Sequence, residues 1–177
     1  MARRKPDPGA IYVSPRLQAS LEPMGRCALT TVTAPMGYGK TTAVNWFLAA
    51  QPPGSAIRVS IYSDSVPALW ESGRRAFRAA GLTVLEGFDC PTDPAATGLL
   101  VDTLCRELRR PEPWYLFADD LHLLSDSRMA RFLCELAARL PENVHLIAAS
   151  RDRILSGDQV LRLGGRLHRI GAEQLRL

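Results

Sequence analysis

The sequence predicts an α/β fold: a mainly parallel sheet of about five strands, sandwiched as three layers between helices. Three observations carry this. Short apolar runs alternate with longer helical segments, the pattern of strands joined by helical crossovers. The run Trp114 to Ala118 is uniformly apolar, as a strand covered on both faces should be. A glycine-rich stretch, "TAPMGYGKTT", joins the first strand to a helix where an open α/β sheet gathers its functional loops.

The elements follow in order. Residues 1–10 carry Arg3-Arg4-Lys5 with Pro and Gly and read as a flexible arm, leaving 11–177 as one domain. In "SPRLQASLE" Ser14 is placed to cap a helix with Pro15 at its first position. Cys27 to Thr33 is the first strand, and a helix runs from Lys40 to Ala50, broken by Pro52-Pro53-Gly54. Ala56 to Ile61 is the second strand. Val66 to Ala80 is amphipathic, with Val66, Leu69, Trp70, Gly73, Phe77 and Ala80 on one stripe. Residues 81–93 read as an irregular link. Pro94 to Arg110 is a helix with Leu100, Val101, Leu104 and Leu108 inward. Trp114 to Ala118 is the third strand. Ser127 to Leu140 is a helix capped by Asp126, with Met129, Phe132, Leu133, Leu136 and Leu140 inward. Val144 to Ala149 is the fourth strand. Beyond Arg151 the pattern weakens, with a Gly164-Gly165 turn and a fifth strand from Arg166 to Ile170.

Bulk properties narrow the class. A chain of 177 residues suits one domain with a real core. No apolar run approaches bilayer length, and the basic N-terminus lacks an apolar signal core. Cys27, Cys90, Cys105 and Cys134 are scattered, as are His122, His145 and His168, which argues against a metal or disulfide framework and for a reducing cytoplasm. The net charge of +4 is spread along the chain, so the arginines read as solvated helix faces rather than a DNA-binding surface.

The chemistry concentrates in three places. The stretch Ala34-Pro35-Met36-Gly37-Tyr38-Gly39-Lys40-Thr41, continuing into Thr42, matches the phosphate-binding loop G-x-x-x-x-G-K-[ST] (Walker A) except that alanine opens it. Its N–H groups and the following helix N-terminus suit an anion. Lys40 is placed for the β and γ phosphates and the Thr41 hydroxyl for Mg²⁺, which makes ATP or ADP the expected cofactor. The opening position mainly ends the strand, and a methyl is tolerated there if φ stays negative. The second place is "WYLFADDLHLL", in which Asp119 and Asp120 end an apolar strand as in a Walker B element. Asp119 is expected on the metal side and Asp120 as the base that orients water. The third is "VHLIAASRDR", where Arg151 follows the fourth strand and could meet a terminal phosphate with its forked guanidinium. His122 is placed either to touch this site or to pack. Trp46, Trp70 and Trp114 read as core.

Together "TAPMGYGKTT", "FADDLHLL", "LIAASRDR" and "LRLGGRLHRIGAEQLRL" resemble the nucleotide-binding domain of the large ATP-binding LuxR-type transcriptional regulators, members of the STAND class of P-loop ATPases. "IYVSPRLQASLE" is similar to that family's entry segment. The resemblance spans Ile11 to Leu177. It implies a five-stranded parallel core in which the sensing strand lies between the loop strand and the acidic-pair strand. It also implies ATP/ADP switching with slow hydrolysis, self-association, an inducer and DNA as partners. Lys40 and Thr41 then bind phosphate and Mg²⁺, Asp119 and Asp120 form the acidic site, Arg151 senses phosphate, and Arg16 and Leu17 lie near the base. Such regulators continue into a lid, sensor repeats and a DNA-binding domain, so this sequence reads as an excised or truncated domain. Two alternatives remain: a stand-alone small-molecule kinase using Arg153, Arg162 and Arg166 as lid residues, and an interaction domain with a vestigial loop.

Overall fold

The structure is a computed structural model that describes residues 12–91, 93–123 and 127–176. The N-terminal arm and Asp126 lie outside the described residues. Five strands, β1 (Leu29–Thr33), β2 (Ala56–Ser60), β3 (Trp114–Asp119), β4 (Val144–Ser150) and β5 (Leu167–Ile170), form one sheet in the order β2-β3-β4-β1-β5. All four pairings are parallel. The order places β4 between β1 and β3, as the resemblance implied.

Alternation along each strand assigns side chains to two helical layers. Leu29, Trp114, Leu116, Val144 and Leu146 face α3 (Val66–Ala79), α4 (Pro94–Leu108), α5 (Arg128–Arg139) and α6 (Gly157–Leu163). Val32, Tyr115, Phe117, Ile147 and Ile170 face α1 (Pro15–Leu21), α2 (Lys40–Ala49) and α7 (Ala172–Leu175). The sheet is therefore covered on both sides, which is why the interior strand β3 is apolar from Trp114 to Ala118 rather than at alternate positions.

Helix starts follow local chemistry. The Ser14 hydroxyl accepts from the Leu17 N–H with Pro15 leading α1, and Asp93 and Ser65 do the same for α4 and α3. The four expected inward residues of α4, Leu100, Val101, Leu104 and Leu108, are all buried. In α5 Leu133 and Leu136 are buried, but Met129 and Phe132 remain half-buried.

Three elements differ from the sequence reading. α5 begins one residue later than expected, at Arg128, with Ser127 at the N-cap position making no side-chain capping bond. α6 was not anticipated, although Ser156 and Gln159 build a reciprocal capping box at its start. Residues 81–93 include a 3₁₀ turn, Val84–Gly87, rather than only an irregular link.

Polar groups inside the sandwich are tied. His145 is buried, donates from Nδ1 to the Cys27 carbonyl at 2.9 Å and stacks on Tyr115 with ring centres 5.3 Å apart. Burial lowers its pKa from the ordinary 6.5, with the Cys27 bond opposing. The Tyr115 hydroxyl donates to Gln51 Oε1 at 2.9 Å.

Candidate functional site

The carboxyl ends of β1, β4 and β3 lie side by side, with Thr33 paired to Ser150 and Asp119 paired on its other side to Ser60 of β2. In an open α/β sheet this edge is where ligands bind. The stretch Ala34 to Thr41 leaves β1 here and turns into α2.

Ala34 ends the strand quietly. Its methyl is 2% exposed and packs with Val32 and Ala43, while its N–H donates to the Ser150 carbonyl at 3.2 Å. Among the described non-glycine residues Asp120 alone has a positive φ, so Ala34 holds ordinary backbone and needs no glycine. Gly37 and Gly39 do need to be glycine, with φ of 85° and 77°. A Cβ at either would meet nothing within 4 Å, so the loop's inner surface is open. Pro35 and Met36 are exposed, and Tyr38 is half-buried against the α2 layer.

Gly39 caps α2 in the left-handed conformation without a side-chain hydrogen bond, and no acidic residue stands in the first turn. The N–H groups of Lys40, Thr41 and Thr42 thus open the helix with no acidic residue of its own first turn beside them. Unsatisfied N–H groups and the helix dipole together favour an anion there. Lys40 closes the loop on itself: Nζ donates to the carbonyls of Ala34 at 2.6 Å and Pro35 at 3.1 Å.

The acidic pair meets the loop directly. The Thr41 hydroxyl donates to Asp119 Oδ2 at 2.7 Å, joining residues 78 positions apart. Asp119 Oδ1 accepts the Asp120 N–H at 2.9 Å. Asp120 is exposed and sits at φ 58°, a left-handed conformation that costs about 1–2 kcal/mol in most residues and least in Asp, Asn and Gly. The chain turns there into the 3₁₀ segment Leu121–Leu123, and Asp120 leaves the line of the strand.

Arg151 follows β4, exposed, with its guanidinium 4.0 Å from Asp152. It has no hydrogen bond or ion pair to the loop. Its backbone N–H donates to His122 Nδ1 at 3.1 Å, which fixes the end of β4 to the turn that carries the acidic pair. His122 is therefore a bridge at the site rather than only packing. Arg16 donates to the Glu173 carbonyl at 2.8 Å, and Leu17 is buried in the α1 layer.

The arginines offered as lid residues are used structurally. Arg166 donates to the carbonyls of Ala137 and Leu140 at the end of α5, Arg153 to the Leu155 carbonyl, and Arg162 to the Glu135 carboxylate. Among the described residues no group of three His, Cys, Asp or Glu gathers as a metal cluster, and no helix is long and apolar enough to cross a membrane.

The donor set fits a nucleotide phosphate with Mg²⁺. An open glycine loop, free N–H groups and one lysine suit phosphate, and two adjacent hard oxygens from Thr41 and Asp119 suit Mg²⁺, which takes few protein ligands.

No protein-family model matches the chain. Among solved structures it is similar to a Signal Transduction ATPase with Numerous Domains (STAND) bearing a tetratricopeptide repeat sensor from Pyrococcus horikoshii. That match has 12% identity and a TM-score of 0.61, and covers 92% of this chain but 23% of that one. It is also similar to a chain in the structure of Drosophila ORC bound to DNA, at 14% identity and TM-score 0.53, covering 89% of this chain and 91% of that one. A chain from Drosophila ORC bound to AT-rich DNA and Cdc6 matches at 13% identity and TM-score 0.51, covering 89% and 55%. At these identities the likeness is one of fold, a three-layer α/β/α sandwich around a five-stranded parallel sheet.

Proposed function

We propose that this chain is an ATP/ADP-binding switch domain of a LuxR-type transcriptional regulator. The observation that carries the nucleotide reading is the 2.7 Å bond from Thr41 at the head of α2 to Asp119 at the end of β3, beneath an open glycine loop closed by Lys40. Sequence alone pairs the two motifs by order. The fold brings their oxygens together at one point.

In this reading the N–H groups of Gly37 to Thr42 hold the phosphates and Lys40 leaves its two carbonyl contacts for the β and γ oxygens. Thr41 and Asp119 hold Mg²⁺, which when bound neutralises charge on the terminal phosphates. Asp120, turned out of the strand, accepts a proton from attacking water. Arg151 reads the terminal phosphate from the end of β4, its backbone fixed by His122. Hydrolysis is slow and resets the switch. The motif set quoted above favours the LuxR-type role, and the STAND neighbour shares the fold and carries a sensor of its own. Inducer sensing, DNA contact and most of the self-association surface are assigned to other domains of the regulator, working in the cytoplasm.

A small-molecule kinase is less well supported, because Arg153, Arg162 and Arg166 are held by carbonyls and a carboxylate rather than poised over the loop.

The test is to denature freshly purified protein, identify any released nucleotide by chromatography, and titrate the emptied chain with ADP and ATP in Mg²⁺. Copurified ADP or micromolar affinity is expected. No affinity at millimolar nucleotide would overturn the reading, and rapid phosphoryl transfer to small-molecule acceptors would replace the switch with a kinase. Asp120→Asn is expected to spare binding while lowering hydrolysis, and an equal loss of both would remove its assigned role.

A further inference from the structure

A cavity of about 440 Å³ opens between α3, α4, α5 and α6, on the sheet face away from α2. It contains none of Ala34 to Thr42, Asp119, Asp120 or Arg151, so it stands independently of the nucleotide reading.

The sequence explains why it exists. α4 begins Pro94-Ala95-Ala96-Thr97-Gly98, and its first fully buried side chain is Leu100. The first turns of α4 therefore offer nothing to fill the space against α5. A Cβ at Gly98 would meet no atom within 4 Å. On α5, Met129 and Phe132 have core spacing yet stay half-buried, because they line this space. Trp70 lines it from α3, its orientation fixed by an indole N–H bond to the Phe88 carbonyl at 2.8 Å. The interior is thus apolar and partly aromatic.

The charges around it are not balanced. Asp93 is spent capping α4 at the Ala96 N–H, at 2.8 Å. Glu135 is hydrogen-bonded to Arg162, and Arg139 is paired with Asp102. Arg128 is also engaged. Arg131 lines the mouth, is exposed, and has no ion pair or side-chain hydrogen bond to any described residue. Among the described residues Arg131 is thus a lining cation without a carboxylate partner, beside an aromatic-walled pocket. The volume falls in the range of about 300–1,000 Å³ typical of small-molecule sites.

We propose that this cavity binds a small monoanionic aromatic ligand, its ring system between Trp70, Met129 and Phe132 and its acid group on Arg131. The apolar walls supply most of the affinity, and Arg131 supplies the preference for an anion.

The test uses two fluorescent probes on the full chain: 8-anilino-1-naphthalenesulfonate, an aromatic monoanion, and N-phenyl-1-naphthylamine, its neutral counterpart. Saturable one-site binding of the anionic probe is expected. Gly98→Leu places a side chain in open space on a helix, so it should fill the cavity and weaken both probes by about tenfold or more with no loss of thermal stability. Arg131→Gln should weaken the anionic probe by about fivefold and leave the neutral one unchanged. No saturable binding to the wild-type chain overturns the proposal. So does anionic-probe affinity that survives Gly98→Leu, or an equal effect of Arg131→Gln on both probes.

Discussion

The two faces of the sheet are packed to different standards. Beneath the glycine-rich loop, Leu21, Met24, Val32 and Val44 are wholly buried among α1, α2 and the sheet, and even the alanine that opens the loop is enclosed. On the opposite face Leu100, Val101 and Leu108 are as deeply buried, but the layer parts near Gly98 and leaves a cavity. The difference teaches where rigidity is needed. The loop must hold Gly37 and Gly39 in left-handed conformations, with Lys40 folded back on the Ala34 and Pro35 carbonyls and Thr41 on Asp119, and a filled layer below holds them so. The other face carries no such constraint close to its opening.

The sharpest way to break this comparison is to remove volume from each face. Leu21→Ala should cost about 2–5 kcal/mol, the range for fully buried leucine. Met129→Ala, beside existing space, should cost less than half as much. Equal losses by urea unfolding would mean that the cavity is filled in solution and that the faces are alike.

A second, smaller effect is acid sensitivity centred on the closed face. Burial holds the His145 pKa below 6.5, so the folded ring stays neutral while the unfolded ring takes up a proton. Its contribution is intact above 6.5 and is lost as pH falls from there through the lowered folded value. Urea midpoints should therefore decline below pH 6.5, and His145→Asn should flatten that decline. An unchanged slope in the variant would place the acid sensitivity elsewhere.

The smallest effect concerns the loop's opening residue. Ala34→Gly should lower stability by about 1–2 kcal/mol, through a lost buried methyl and added chain entropy. Nucleotide affinity should stay within about threefold. A large gain in affinity would show that the alanine restrains the cradle.

Much of the fold was legible because apolar spacing records burial. The inward stripe of α4 and the uniformly apolar β3 follow from that alone, and Ser14-Pro15 announces α1. The glycines and Lys40-Thr41 name the loop by spacing. The place of β4 between β1 and β3 was legible only through the family resemblance, since spacing says nothing about which strand lies between two others. What stayed hidden is long-range. The Arg166 guanidinium closes α5 through carbonyls 26 and 29 positions away. The His122 to Arg151 bond depends on a left-handed turn at Asp120 that no short motif announces. α6 was missed despite a readable signal, the Ser156-x-x-Gln159 capping box, because its short apolar pattern is weak. The cavity was missed because small residues on α4 read as ordinary helix formers.

The central claim, that the loop between β1 and α2 is a working phosphate cradle despite its opening alanine, is tested most directly by calorimetric titration of ADP and ATP into the wild-type chain and Lys40→Ala. Lys40 points into the loop and not into the core, so its removal should leave the fold intact. Measurable binding by the wild type, weakened about tenfold or more in the variant at unchanged thermal stability, is the predicted result. Equal affinity in the two proteins would contradict it and place any nucleotide elsewhere.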